Sequence, residues 1–164
     1  SIALAESVAN QGQGFINSMA FGNGGTSVDP TGIITYLTPN STGTNASLYN
    51  QTFTKIVDDR SVSNLDPQRN KIETRHVNGT NYTDVVVTCL LDYGEPNGQD
   101  ATDTASASDS LYVFDELGLT SYASSGTGKL LTHVIFHPVQ KSLNRLIQID
   151  YTVRVQSLTG FNEG

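Results

Sequence analysis

The sequence predicts an all-β protein: an antiparallel β-sandwich with long polar loops and a short N-terminal arm. Three observations carry that prediction. Near the C-terminus, Ile147, Ile149, Tyr151, Val153 and Val155 alternate with Gln148, Asp150, Thr152, Arg154 and Gln156. A period of two gives a strand one buried and one wet face. No segment of comparable length has a helical period. The other apolar runs are short and separated by Gly- and Asn-rich turns, a pattern that favours a sandwich. A chain of 164 residues suits one domain with one core.

The elements follow in order. Residues 1–14 differ from the rest: Ile2, Leu4 and Val8, with Ala3, Ala5 and Ala9, form one or two amphipathic turns before Gly12 and Gly14 break them. So short a helix is marginal alone, so this arm must pack on its own domain or on a neighbour. Residues 15–22 read as the first strand, and Asn23-Gly24-Gly25 as a turn that tolerates positive φ. A long polar stretch, 23–52, is interrupted by Ile33-Ile34-Thr35-Tyr36-Leu37. Residues 53–57 form a strand ended by Asp58-Asp59, 58–71 a loop, and 73–77 a further strand. Asn78-Gly79 is a strong hairpin signal. The run 82–93 is a central strand, apolar on both faces through Val85–Val87 and Leu90-Leu91. Residues 94–110 hold no aliphatic side chain larger than Ala and are the clearest loop; loops this long are usually functional or mobile. Strand character resumes at 111–114 and, after the turn at 124–128, at 130–136. The domain is therefore bounded as 1–14 arm, 15–156 sandwich and 157–164 tail.

Charge and composition exclude several classes. Nine basic against sixteen acidic residues give a net charge of −7, a field that repels phosphate and argues against a nucleic-acid grip. Apolar runs reach about five residues, where a spanning helix needs roughly 20, so no membrane partner is expected. No basic segment precedes Ile2–Ala5, so no signal peptide is expected. The single cysteine, Cys89, excludes an internal disulfide framework and reads as an apolar filler in a buried strand. Thr, Ser, Asn and Gly replace charge at the surface, a composition common on β-rich extracellular and virion proteins.

Constellations that resemble chemistry fail on detail. Gly126-Thr127-Gly128-Lys129-Leu130 has Ala123 and Leu130 where a phosphate-binding loop needs Gly and Ser or Thr. His133 and His137 are four apart, but the intervening Val134-Ile135-Phe136 and the following Pro138 indicate a strand end, where positions four apart are too distant to share an ion. They read as cross-strand or interface histidines. Asp92, Glu95, Asp100, Asp103 and Asp109 fit no EF-hand spacing and read as a solvated loop. No Gly-x-Ser-x-Gly elbow marks an activated serine. No catalytic residue, metal or cofactor is expected.

Three segments, taken in order, resemble a known family. They are Ile16-Asn17-Ser18-Met19-Ala20-Phe21-Gly22-Asn23-Gly24-Gly25, then Ser47-Leu48-Tyr49-Asn50-Gln51-Thr52-Phe53, then Phe114-Asp115-Glu116-Leu117-Gly118-Leu119 with Gly128-Lys129-Leu130-Leu131-Thr132-His133-Val134 and Lys141. The pattern is similar to bacteriophage virion proteins, particularly the N-terminal attachment domain of tail-collar and tail-fibre proteins, and spans residues 15–155. The resemblance implies that Glu116, Leu117, Gly118 and Leu119 form a folding signature, in which Gly118 allows a bulge or a close backbone approach and Leu119 returns to the core. The chain departs from the pattern at Thr120, where an aromatic usually stands nearby; Tyr122 is the nearest substitute. Fibres continue into long trimeric shafts, whereas this sequence stops at Gly164.

The expectation is therefore a non-enzymatic structural component of a bacteriophage virion: a tail, collar/neck or baseplate adaptor that mediates assembly contacts. A capsid decoration or cement protein is the alternative, and a carbohydrate- or receptor-binding module of the tail tip the second. The expected partners are other virion proteins and further copies of the chain, with Ile2, Leu4 and Val8 as interface candidates.

Overall fold

The computed structural model describes residues 16–40, 47–96, 111–122 and 128–156. Ile2, Leu4 and Val8, with the rest of the arm, lie outside the described residues, as do the tail 157–164 and most of the loop 94–110.

Nine strands make up the described chain: β1 (Ile16–Gly22), β2 (Thr26–Val28), β3 (Ile34–Tyr36), β4 (Gln51–Ile56), β5 (Lys71–His76), β6 (Tyr82–Leu91), β7 (Leu111–Ser121), β8 (Val134–Ser142) and β9 (Ile147–Gln156). They form a four-stranded sheet β4-β1-β7-β8, a three-stranded sheet β5-β6-β9 and the hairpin β2-β3. Every pairing is antiparallel. The protein is thus all-β with a sandwich-like arrangement of its two larger sheets.

The core lies between those sheets. Met19 and Phe21 from β1, Tyr112, Phe114, Leu117 and Leu119 from β7, and Val85, Val87, Cys89 and Leu91 from β6 form one buried cluster. The β9 alternation supplies its other wall: Ile147, Ile149, Tyr151, Val153 and Val155 pack on this cluster while the polar residues between them face out. Phe114 meets Phe21 edge-to-face at 5.2 Å and Phe136 likewise at 5.7 Å, geometry that adds to the burial of their rings. β6 is the central strand of its sheet, paired along ten residues with β9. Its hairpin to β5 turns at Gly79, whose φ of +90° only glycine adopts at no cost.

Several boundaries move from the sequence reading. β4 begins at Gln51 and β5 at Lys71, each two residues earlier than expected. The polar stretch 23–52 contains the hairpin β2-β3. Leu130 forms only an isolated bridge to Thr120, and β8 starts at Val134 and continues through His137 and Pro138 to Ser142. As an edge strand β8 tolerates a residue with no N–H. Most consequential, β7 does not stop at Phe114 but runs to Ser121. It does so through an irregularity between Phe114 and Glu116 in its pairing with β8. That bulge changes the phase of the strand: its core-facing residues are Tyr112 and Phe114 before it, and Leu117 and Leu119 after it.

Candidate functional site

The phase change places two consecutive acidic residues, Asp115 and Glu116, on the side of β7 away from the core, where other chain segments cover them. Both are buried. Glu116 gathers three segments. Its Oε1 accepts from Tyr49 N at 2.9 Å and from His133 Nε2 at 2.7 Å. Its Oε2 accepts from Asn50 N at 2.9 Å and Gly24 N at 3.1 Å. All four partners are donors, the set that a carboxylate rather than a carboxylic acid satisfies. Asp115 does the same for the start of the hairpin: Oδ1 accepts from Gly25 N and Oδ2 from Thr26 N, both at 2.9 Å, with the Thr26 hydroxyl also on Oδ2.

Small residues make this close covering layer possible. A Cβ on Gly22 would lie 2.4 Å from the Asn50 carbonyl oxygen and 2.6 Å from Glu116 Oε2. One on Gly118 would lie 2.3 Å from the Thr132 carbonyl oxygen and 2.6 Å from a Leu130 methyl group. Leu117 and Leu119 point the other way, into the core. The Glu116–Leu119 segment is therefore built from one loop anchor, one close approach and two core side chains.

His133 lies just before β8, not within a strand, and its side chain has no solvent exposure. The Asn40 N–H donates to its Nδ1 at 2.7 Å, so the ring hydrogen sits on Nε2 and is donated to Glu116. Of the reading of His133 as a cross-strand or interface residue, the cross-strand part fits: from its place before β8 the ring reaches Glu116 on β7, and it also ties the 37–40 segment there. His137 is exposed on β8. No group of three or more potential metal ligands occurs among the described residues.

A second set of buried polar groups fixes the turn after β6. The Lys141 ammonium, fully buried, donates to the carbonyls of Asp92 at 2.9 Å, Glu95 at 2.8 Å and Ser142 at 2.8 Å. Burial pulls its pKa below the ordinary lysine value, against the opposing attraction of Glu95 and Asp92. Lys55 donates to Glu95 Oε1 at 2.5 Å and to the Leu90 carbonyl. Asp92 and Glu95, read from sequence as part of a solvated acidic loop, are thus engaged by cations; Asp100, Asp103 and Asp109 lie outside the described residues. Cys89 is buried in β6, and burial pushes its thiol up to about 12.

The outer surface contrasts with these sealed groups. On the hairpin and just beyond it, Val28, Ile33, Tyr36 and Leu37 are exposed, and on the loop after β4 Val62 and Leu65 are 99% and 96% exposed. A cleft of about 770 Å³ opens beside that loop, between Phe53 and Lys55 of β4, Leu65 and Arg69, and Asp92 and Tyr93. Its cations are already paired: Arg69 with Asp66 at 2.6 Å and Lys55 with Glu95.

Compared with known proteins, the chain matches no family model, no curated protein and no solved structure.

Of the residues now seen to organise the fold, Asp115 had no assigned role in the sequence reading, and His133 was assigned only as a cross-strand or interface residue. A signal was present: the apolar period of β7 changes phase across the adjacent acids Asp115 and Glu116. Two acids within an apolar strand mark a place where polar backbone must be gathered.

Proposed function

We propose that this chain is a structural subunit of a bacteriophage virion, a tail, collar/neck or baseplate adaptor whose work is contact with other subunits. The observation that carries this reading is the division of labour between inside and outside. The buried acids and bases, Asp115, Glu116, His133 and Lys141, are spent on backbone groups of the chain itself. They hold loop shape and are themselves closed to a substrate. Large apolar side chains stand outside instead, on the hairpin and at Val62 and Leu65, where burial against a neighbour would stabilise a contact. The ordered resemblance of residues 15–155 to tail-collar and tail-fibre attachment domains supports the virion setting. A capsid decoration role would use the same surfaces.

The test is mass measurement of the purified chain by light scattering, joined to cryo-electron microscopy of the particles made by the source that encodes it. An oligomer, with density for this sandwich at a repeated position, is the expected result. A monomer at high concentration that is missing from the particles would overturn the reading.

A receptor- or glycan-binding role is the second reading, favoured by the cleft beside β4, where the exposed ring of Tyr93 stands next to paired carboxylates. Binding of the isolated chain on a glycan array, abolished by Tyr93→Ala, would select it.

A further inference from the structure

We propose that His133 is an acid-released latch: protonating its ring expels the Asn40 amide and frees the 37–40 segment that follows the hairpin. The proposal does not depend on the virion reading. It rests on the direction of two hydrogen bonds. Asn40 N–H donates to Nδ1 at 2.7 Å, and Nε2–H donates to Glu116 Oε1 at 2.7 Å. One ring nitrogen is an acceptor and the other a donor, which only the neutral imidazole provides.

A proton added to the ring can go only to Nδ1. There it sets N–H against N–H at hydrogen-bond distance, and the Asn40 contact turns repulsive. The contact to Glu116 is not lost in the same step; it becomes a charge-assisted bond to a carboxylate. Protonation therefore breaks one tie and tightens the other, and the ring stays with β7 while Asn40 leaves. Among the described residues, the titratable groups facing the ring are Glu116 from β7 and Tyr49 from the segment before β4, whose ring centre is 5.7 Å away. Asp115 is turned to Gly25 and Thr26.

Asn40 is the residue whose release matters for this segment. Its side-chain Nδ2 donates to the Ser47 carbonyl at 3.2 Å, so it also ties residue 40 to residue 47. Asn40 itself follows the exposed side chains of Tyr36 and Leu37. Acid would thus change how the hairpin is tethered while Glu116 still holds Gly24, Tyr49 and Asn50.

The experiment is an NMR titration of the intact chain from neutral to mildly acidic pH. At neutral pH the imidazole nitrogen shifts should report hydrogen on Nε2 and none on Nδ1. As His133 protonates, the Asn40 amide resonance should move along the same curve. Its exchange rate, normalised for intrinsic chemistry, should rise about tenfold, the worth of one ordinary hydrogen bond, while amides of the β6–β9 ladder stay unchanged. His133→Gln, which keeps a donor for Glu116 but does not titrate, should remove the pH response at Asn40. The proposal fails if Nδ1 carries the hydrogen at neutral pH, or if Asn40 is unmoved as His133 titrates. It also fails if His133 stays neutral until the whole fold melts, or if His133→Gln keeps the response.

Discussion

Arg154 of β9 closes on Asp84 of β6, its direct partner across the ladder, with Nε 2.8 Å from Oδ1 and Nη2 3.1 Å from Oδ2. The guanidinium carbon lies 3.8 Å from the centre of the Tyr82 ring, so one side chain makes a two-pronged ion pair and a cation–π contact.

This pair sets a pH dependence. The hydrogen bond from Arg154, aided by its charge, holds the Asp84 carboxyl below its ordinary value of 3.8. A depressed folded value means that the contribution to stability is present above the unfolded value and is lost as pH falls through the folded one. Carbon-detected NMR titration should place Asp84 below 3.8 in the native chain, and Arg154→Gln should return it toward that value. An unshifted Asp84 in the native chain would contradict the assignment.

Glu116→Gln should be among the most damaging conservative substitutions in the chain. The side-chain shape is kept, but an NH₂ group now faces two of the four donors that the carboxylate accepted. Breaking a buried charged network of this kind costs about 3–5 kcal/mol. Urea denaturation should show the midpoint falling accordingly, and a loss below about 1 kcal/mol would mean that the loops find other partners.

Gly118→Ala tests the close approach of β7 to residue 132. The added methyl would sit 2.3 Å from the Thr132 carbonyl oxygen, so backbone must move. Overpacking of this type costs about 1–3 kcal/mol, read as a lowered Tm. The effect cannot come from backbone conformation, because Gly118, unlike Gly79, has no positive φ.

The protein should lose stability in alkali. Burial pushes the Cys89 thiol from 9.0 to about 12 and the Tyr112 hydroxyl from 10.0 to about 12. In the unfolded chain both groups ionise earlier, so a raised folded value makes stability fall as pH climbs from 9 toward 12. Denaturation midpoints measured at stepwise higher pH should decline over that window. Cys89→Ala should flatten the part that begins near 9, and a thiol reagent at pH 8 should react only after unfolding.

How much of this was legible in the sequence varies by element. β9 was readable because one of its faces is wet, which writes the period of two directly into Ile147–Gln156. β6 was readable because burial on both sides leaves an unbroken apolar run from Val85 to Val87. β7 was read only to Phe114, since Asp115 and Glu116 look like a strand end unless something covers them. β8 was misplaced because His137 and Pro138 look like a terminator, and an edge strand does not need every N–H. The short hairpin β2-β3 has three residues per strand, too few to show a period.

The motif Glu116-Leu117-Gly118-Leu119 could be picked out as a folding signature, but its partners could not. Glu116 binds backbone N–H groups of Gly24, Tyr49 and Asn50, and a backbone donor leaves no mark in residue identity. The role of His133 was hidden for a related reason: its Nδ1 is filled by the main chain of Asn40, whose side chain is not involved in that bond.

The place where the chain keeps its ionic ties bears on where it can work. Glu116 and Lys141 hold their loops from positions that water does not reach, and dissolved ions screen buried charges far less than exposed ones. Brine and fresh water should therefore leave the 92–95 turn and the 22–26 turn in the same shape, while the rim pair Arg154–Asp84 weakens with each rise in ionic strength.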